Sequence, residues 1–262
     1  MRILVLAAMI LGIAGVASAG SIGDSVEVEV RSDNGTSLPL YPVTAGHGVR
    51  KAYAEAVRGD NYRIIVRNRL NRRIGVVVAV DGRNIVSGKK SWLRNSERMY
   101  ILEPYGAGEF SGWRTGADRI NRFFFTSAGD SYAASFGDKS AMGVIAVAVY
   151  PQVRRCEPWL NDSAAEVYKG SSARPAAPSA RSKSETESAG TGYGREEYSP
   201  STVVAFEPES SPVEKIFLKY EWRTTLCRKG VIRCGTVREP HNRMWDDDDG
   251  YAPPPGGYSW RR

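Results

Sequence analysis

The chain has 262 residues, of which 42% are hydrophobic and 25% are charged, and its formal net charge is +7. That length and composition predict one or two domains with an apolar core. After residue 19 no stretch is long and apolar enough to span a membrane.

The first 19 residues have the features of a secretory signal peptide. Arg2 supplies a positive charge, residues 3–16 are almost wholly apolar, and Ala17-Ser18-Ala19 is a small-residue cleavage site. The alternative is an uncleaved anchor, although the apolar run is shorter than the roughly 20 residues of a membrane span. We therefore predict cleavage after residue 19 and a periplasmic or extracellular mature protein.

Positive charge is concentrated between residues 50 and 98. This region contains 13 Lys and Arg against four acidic residues, a net charge of +9. Such a region attracts anionic surfaces, among them acidic polysaccharide, phospholipid and nucleic acid. The alternative is a solvated sheet surface, on which Arg63, Arg67 and Arg83 alternate outward.

Three cysteines, in an exported chain, predict a disulfide. Cys227 and Cys234 are the expected pair because a short loop joins them, and Cys156 with Cys227 is the rival pairing. The chain has no C-x-x-C motif and only two histidines, His47 and His241. We predict neither a metal site nor a cofactor.

Alternation of apolar and polar residues predicts strands along the first 150 residues. Such runs cover residues 25–31, 51–57, 62–67, 74–80, 98–102, 109–113, 120–126 and 142–150. The 51–57 run also fits one helical turn, and residues 132–136 fit a short helix. Residues 74–80 and 142–150 are apolar on both faces, which indicates central strands.

Turn signals separate these runs. Asp81-Gly82 predicts a type I′ hairpin turn, because both central residues of that turn need positive φ. Residues 104–108 predict a second hairpin, between the 98–102 and 109–113 runs, and residues 38–48 are expected to be irregular because they contain Pro39, Pro42, Gly46 and Gly48.

The pattern as a whole predicts an all-β fold, an antiparallel β-sandwich with jelly-roll-like character, over residues 24–152. About eight short strands with regular turn signals are typical of that class. An α/β fold is disfavoured because no amphipathic helix of normal length separates the strands.

The composition changes after this region. The predicted organisation is a disordered linker at 160–201, a C-terminal hairpin extension packing on the sandwich at 202–235, and a flexible tail at 236–262. Residues 203–206 and 215–222 are the expected strands of the extension, with a helix as the alternative for 215–222. A short helix at 223–229, capped by Gly230, should follow.

Catalytic motifs are weak. Gly-Asp-Ser occurs at residues 23–25 and 129–131, but no Asp-x-x-His follows to complete a hydrolase site. Glu103 and Glu109 flank a turn and could serve as the paired carboxylates of a carbohydrate-active hydrolase, which is the alternative function. We predict no catalytic residues.

Binding is better supported, because aromatic and basic residues cluster beside turns. The candidate ligand-binding residues are Trp92, Arg94, Arg98, Tyr105, Trp113 and Arg114. Exposed aromatic rings at the rim of a sandwich can hold sugar rings, and arginines can pair with anionic groups. The alternative is that these aromatics belong to the core. Nucleic acid is not an expected partner, since no nucleic-acid-binding motif stands out.

Residues 80–90, 112–115, 130–134 and 142–149 resemble exported proteins of Gram-negative bacteria. The resemblance implies a cell-envelope location and carries no activity or site with it. The expected function is therefore non-enzymatic binding or scaffolding in the envelope, with an anionic or carbohydrate ligand. An envelope glycan or another envelope protein is the expected partner.

Overall fold

The structure, a computed structural model, describes residues 20–154 and 188–234. The strands are β1 Ser21–Ile22, β2 Val26–Ser32, β3 Leu40–Val43, β4 Val49–Ala56, β5 Asn61–Asn68, β6 Ile74–Val80, β7 Arg83–Asn84, β8 Tyr100–Leu102, β9 Ala107–Phe110, β10 Gly112–Arg114, β11 Arg119–Ser127, β12 Val144–Pro151, β13 Ala189–Thr191, β14 Glu196–Tyr198 and β15 Glu214–Trp222. The helical elements of the described residues are α1 Arg223–Arg228 and two 3₁₀ turns, Ala128–Asp130 and Ala134–Phe136. All of them belong to one compact unit, which ends at Ile232.

Two sheets pack their inner faces together, which confirms the predicted all-β sandwich. One sheet has eight strands in the order β1-β2-β5-β11-β10, with β9 beside β5 and with β13 and β14 beside β11. The other has seven strands in the order β3-β4-β15-β12-β6-β7, with β8 beside β6. Stacked aromatic rings fill the core between them. The Tyr62 ring lies 4.2 Å from that of Phe125 and 5.3 Å from that of Phe123, centroid to centroid.

The central strands are the ones whose residues are apolar on both faces. Every residue of β6 is buried, and β12 lies between β15 and β6. Their inner side chains join the main core, and their outer side chains form a second cluster with Leu93. Cover on both faces explains why these two runs are continuously apolar, as predicted.

The Asp81-Gly82 turn joins β6 to β7 as predicted. Val80 pairs with Arg83 across it, and φ is 49° at Asp81 and 78° at Gly82. Positive φ at both positions is the signature of the type I′ turn, which matches the twist of the strands that it connects.

The predicted hairpin around residues 104–108 is wrong. β8 pairs with β6 in the seven-stranded sheet, whereas β9 pairs with β5 in the eight-stranded sheet. The turn signal correctly marks a change of direction, but it does not specify which strands pair. Here the connection carries the chain from one sheet to the other.

Residues 38–48 are less irregular than predicted, because β3 lies within them. Leu40 pairs with Ala54, and Pro42 pairs with Ala52. Proline has no N–H to donate and is tolerated in an edge strand, which β3 is. The ambiguous 51–57 run is a strand, β4, and not a helical turn.

The linker predicted for residues 160–201 is corrected at its C-terminal end, where β13 and β14 pair with β11. Glycine allows the chain to approach β11 closely between these two strands: a Cβ on Gly194 would lie 2.7 Å from the Arg122 backbone carbonyl oxygen. The strand predicted at 203–206 is absent from the described structure, and Val203 is exposed.

The C-terminal extension returns to the main fold as predicted, and residues 215–222 are a strand and not a helix. It does not form a hairpin. β15 inserts between β4 and β12, parallel to the first and antiparallel to the second. This parallel pair makes the seven-stranded sheet mixed, where a purely antiparallel sandwich was predicted.

The helix predicted at 223–229 is α1, and Gly230 follows it with φ 69°. Cys227 and Cys234 are both disulfide-bonded. Cys156, the signal peptide at 1–19, residues 160–187 of the linker and the tail at 236–262 lie outside the described residues.

Candidate functional site

Residues 89–98, which we name the Trp92 loop, connect β7 to β8 and are organised by Glu97. Glu97 Oε1 accepts hydrogen bonds from the backbone N–H groups of Trp92, at 2.8 Å, and Arg94, at 2.9 Å. Glu97 Oε2 accepts one from the Ser91 hydroxyl at 2.6 Å. The carboxylate thus holds the backbone around Trp92 in one conformation.

Asn84, in β7, closes the base of the loop. Its Nδ2 donates to the Arg98 carbonyl oxygen at 2.8 Å and to Glu97 at 3.3 Å. Burial alone would raise the pKa of Glu97, but hydrogen bonds, that from Ser91 first, outweigh it and lower the pKa. The carboxylate is therefore ionised at neutral pH, and its support of the loop is lost only as the pH falls through that lowered pKa.

The outer surface of the loop is aromatic and basic. The Trp92 side chain is 65% exposed, and Lys90 Nζ lies 5.4 Å from the centroid of its ring. The loop's cations are Lys89, Lys90, Arg94 and Arg98, and all four are exposed. Asp138 pairs with Lys90 at 3.4 Å. The Glu97 carboxylate is engaged by hydrogen bonds inside the loop. The outer surface of the loop therefore presents the Trp92 ring together with a mainly positive charge.

The other three predicted ligand-binding residues lie outside this loop. Tyr105 is exposed at the tip of the connection between β8 and β9, with φ 57°. Trp113 is 2% exposed, and its Nε1 donates to the Gly192 carbonyl oxygen at 3.1 Å. Trp113 is a core residue, with its ring 5.2 Å from that of Phe123, and an external ligand does not reach it.

Arg114 is used to fasten the chain. Its Nε donates to the Tyr100 hydroxyl at 2.8 Å, and its NH1 donates to the Ser199 carbonyl oxygen at 2.9 Å. The guanidinium therefore ties β10 to β8 and to the segment after β14. Of the six candidates, three lie in the Trp92 loop, and these are Trp92, Arg94 and Arg98.

Both basic residues of β5, Arg63 and Arg67, pair with carboxylates on the outer face of the eight-stranded sheet. Arg67 pairs with Glu29 at 3.0 Å and with Glu27 at 3.7 Å, and Arg63 pairs with Glu109 at 2.9 Å. This arrangement is the solvated, alternating surface that was the alternative interpretation of the positive region. Arg83 differs, because it is buried.

The two carboxylates considered for hydrolysis belong to different sheets. Glu109 lies in β9, and Glu103 follows β8 and accepts a hydrogen bond from Arg73 Nε at 2.8 Å. Each is exposed and paired with its own arginine. Such pairs are ordinary features of a sheet surface and do not require a catalytic role.

The two Gly-Asp-Ser segments are structural turns. The backbone N–H groups of Asp24 and Ser25 donate to the Glu214 carboxylate at 2.9 Å and 2.8 Å. The Ser131 hydroxyl donates to the Ala128 carbonyl oxygen at 2.8 Å. Neither serine contacts a histidine in the hydrogen bonds of the described residues.

A buried polar network around Asp81 was not predicted. Asp81 is fully buried, and its carboxylate accepts hydrogen bonds from Gly143 N–H at 2.7 Å, Thr191 N–H at 2.7 Å and the Tyr220 hydroxyl at 2.6 Å. The Thr191 hydroxyl lies 2.8 Å from that of Tyr62. Asp81 looks like an ordinary turn residue in the sequence, and its partners are too distant along the chain to signal the network.

A concave, basic surface of about 770 Å³ lies at the end of β15. Arg58 lies over the Trp222 ring, 4.8 Å from its centroid. Arg223 NH1 donates to both Glu55 oxygens, at 3.1 Å and 3.0 Å. Arg228 also lines the surface, so its positive side chains outnumber its carboxylate.

Within the described residues no cluster of His, Cys, Asp or Glu has the size of a metal site. The helices of the same residues are all too short or too polar to cross a membrane. No family model, no curated protein and no solved structure matches this chain.

Proposed function

We propose that this chain is an exported, non-enzymatic β-sandwich protein that binds an acidic glycan of the bacterial cell envelope through the Trp92 loop. The observation that carries the proposal is an exposed indole in a loop that Glu97 holds in place and whose four cations are also exposed. A ligand would meet a preformed surface, so little ordering free energy would oppose binding.

The two kinds of side chain would serve two parts of the ligand. The face of Trp92 offers a flat apolar surface for the C–H groups of a sugar ring. Arg94 and Arg98 offer planar guanidinium groups that can pair with a carboxylate or phosphate through two parallel hydrogen bonds. A ligand with both features is an acidic polysaccharide.

Export is supported by two observations from different parts of the chain. The first 19 residues have the pattern of a signal peptide. Cys227 and Cys234 are disulfide-bonded, and disulfides persist in oxidising compartments outside the cytoplasm. A non-enzymatic role is supported by the separate ion pairs of Glu103 and Glu109.

The proposal is tested with polygalacturonate as the acidic probe and dextran as the neutral one. We expect polygalacturonate to be retained at low salt, with weaker retention at higher salt because exposed charges are screened. Trp92→Ala should weaken binding about tenfold, which corresponds to roughly 1.4 kcal/mol of lost stacking. Tyr198→Ala is the control, since Tyr198 is 72% exposed on β14.

Two results would contradict the proposal. The first is no retention of polygalacturonate by the wild-type protein at either low or physiological salt. The second is binding that Arg58→Ala abolishes and Trp92→Ala leaves unchanged, which would assign the ligand to the basic surface beside Trp222 and not to the Trp92 loop.

A further inference from the structure

The outer face of the seven-stranded sheet is more apolar than a solvated face requires. β12 directs Val144, Ala146, Ala148 and Tyr150 to this side. Leu93 packs against this face, in one buried cluster with Val77 and Ala79 of β6. Towards β4 this cover ends, and Val144 and Phe217 are only partly buried.

An open groove of about 330 Å³ begins where the cover ends. Its apolar walls are Val43 of β3, Tyr53 of β4, Val144 of β12 and Phe217 of β15. Val43 is 44% exposed, so its methyl groups are accessible from solvent. The volume is at the lower end of the range for small-molecule pockets.

The charged residues that line the groove are both lysines, Lys51 and Lys219. Lys51 is exposed at the rim. Lys219 Nζ donates to the Met142 carbonyl oxygen at 2.5 Å and lies 3.7 Å from Glu221. An anion beside these ammonium groups would gain more than it would in bulk water, because the apolar walls lower the local dielectric constant.

We propose that this groove binds a fatty acid anion. The acyl chain lies along Val43, Tyr53, Val144 and Phe217, and the carboxylate lies beside Lys51 and Lys219. The two lysines favour an anionic head group. The acyl chain binds to the open apolar surface between these lysines and the buried cluster that contains Leu93. The site is separate from the Trp92 loop, so it stands or fails independently of glycan binding.

The test uses dodecanoate, below its micelle concentration, with the full-length mature protein and isothermal titration calorimetry. We expect saturable binding at one site. Dodecyltrimethylammonium has the same chain with the opposite charge, and acetate has the head group without the chain. Both should bind about tenfold more weakly than dodecanoate, since the first lacks the attraction between carboxylate and lysine and the second lacks the apolar contact of the chain.

Variants locate the site. Val43→Ser should weaken dodecanoate binding about fivefold, because a hydroxyl replaces two methyl groups that the acyl chain would cover. Lys51→Glu should weaken it further and should not weaken dodecyltrimethylammonium. Val204→Ser is the matched control, since Val204 is 47% exposed outside the groove and its replacement should change nothing.

Three results would overturn the proposal. One is the absence of saturable dodecanoate binding by the wild-type protein. Another is equal weakening by Val43→Ser and Val204→Ser. The third is a concentration-dependent dimer that Val43→Ser dissociates, because a second copy would then be the occupant of the groove. Thermal unfolding of each variant shows that the fold is retained.

Discussion

Asp81 combines two requirements at one position. Its backbone has positive φ, which asparagine, aspartate and glycine tolerate best. Its carboxylate accepts backbone hydrogen bonds from Gly143 and Thr191, and these need an acceptor on both oxygens. Asparagine tolerates the positive φ of the turn but has only one acceptor oxygen for the two backbone donors. Asp81→Asn therefore tests the hydrogen-bond network without disturbing the turn.

Asp81→Asn should therefore destabilise the protein by about 1–3 kcal/mol at neutral pH, because an amide N–H would face a buried backbone donor. Burial raises the pKa of Asp81 to about 6 from 3.8. The folded chain then binds more protons than the unfolded chain between these values, so the wild type loses stability relative to Asp81→Asn as the pH rises through that window.

Urea denaturation of both proteins across that pH range measures the effect. Asp130→Asn is the control, because Asp130 is exposed in a 3₁₀ turn. The difference in free energy of unfolding between the wild type and Asp81→Asn should change with pH as described. If it is constant, or if it grows in favour of the wild type as the pH rises, Asp81 does not have a raised pKa.

At the scale of elements, the sequence predicts strands where an apolar or alternating run is long and misses several of the short ones. β2, β5, β6, β11, β12 and β15 each have at least seven residues and all were expected. β3, β13 and β14 have four or fewer, and proline, glycine or charged residues hide them. Which strands pair depends on contacts far along the chain, as the separation of β8 and β9 into different sheets shows.

The candidate site follows the same rule. Trp92, Arg94 and Arg98 lie within seven residues of one another, and local sequence is enough to group them. Trp113 lies on a short strand beside a turn, where periodicity cannot tell an inward side chain from an outward one. Its burial depends on Phe123, Tyr132 and Gly192.

Glu214 connects two elements at opposite ends of the chain. It begins β15, is 3% exposed, and accepts hydrogen bonds from the backbone N–H groups of Asp24, Ser25 and Val26 at the start of β2. Glu214→Gln should lower the free energy of unfolding by about 1–3 kcal/mol, because an amide N–H replaces one acceptor oxygen. Chemical denaturation measures the change.

Glu196→Gln is the matched control, since the Glu196 side chain is 56% exposed on β14 and should tolerate the same change. Equal effects of the two substitutions would mean that the contact between β15 and the start of β2 contributes nothing of its own to stability.

At the scale of the whole molecule, residues 188–234 are not an appendage. β13 and β14 extend the eight-stranded sheet, and β15 is an interior strand of the seven-stranded sheet. Leu218 and Tyr220 of β15 are fully buried in the core. Removing this part of the chain would expose one edge of β4 along its full length and one edge of β12 over residues 144–149.

A chain cut at a protease site placed between residues 160 and 187 should therefore stay assembled, even under reducing conditions. Size-exclusion chromatography should show one species, which separates only in denaturant. Residues 20–154 expressed alone should lack a cooperative unfolding transition. Separation of the cut pieces without denaturant would contradict an interior position for β15.

The position of β15 also constrains the order of events during folding. β4 and β12 cannot be joined into one sheet until residues 214–222, which form the strand between them, have been supplied. Contacts that span so much of the chain slow folding, because the loop entropy is lost before the contacts form. The protein must therefore remain open until nearly all of it is available, and its N-terminal half cannot close into the native form as it emerges.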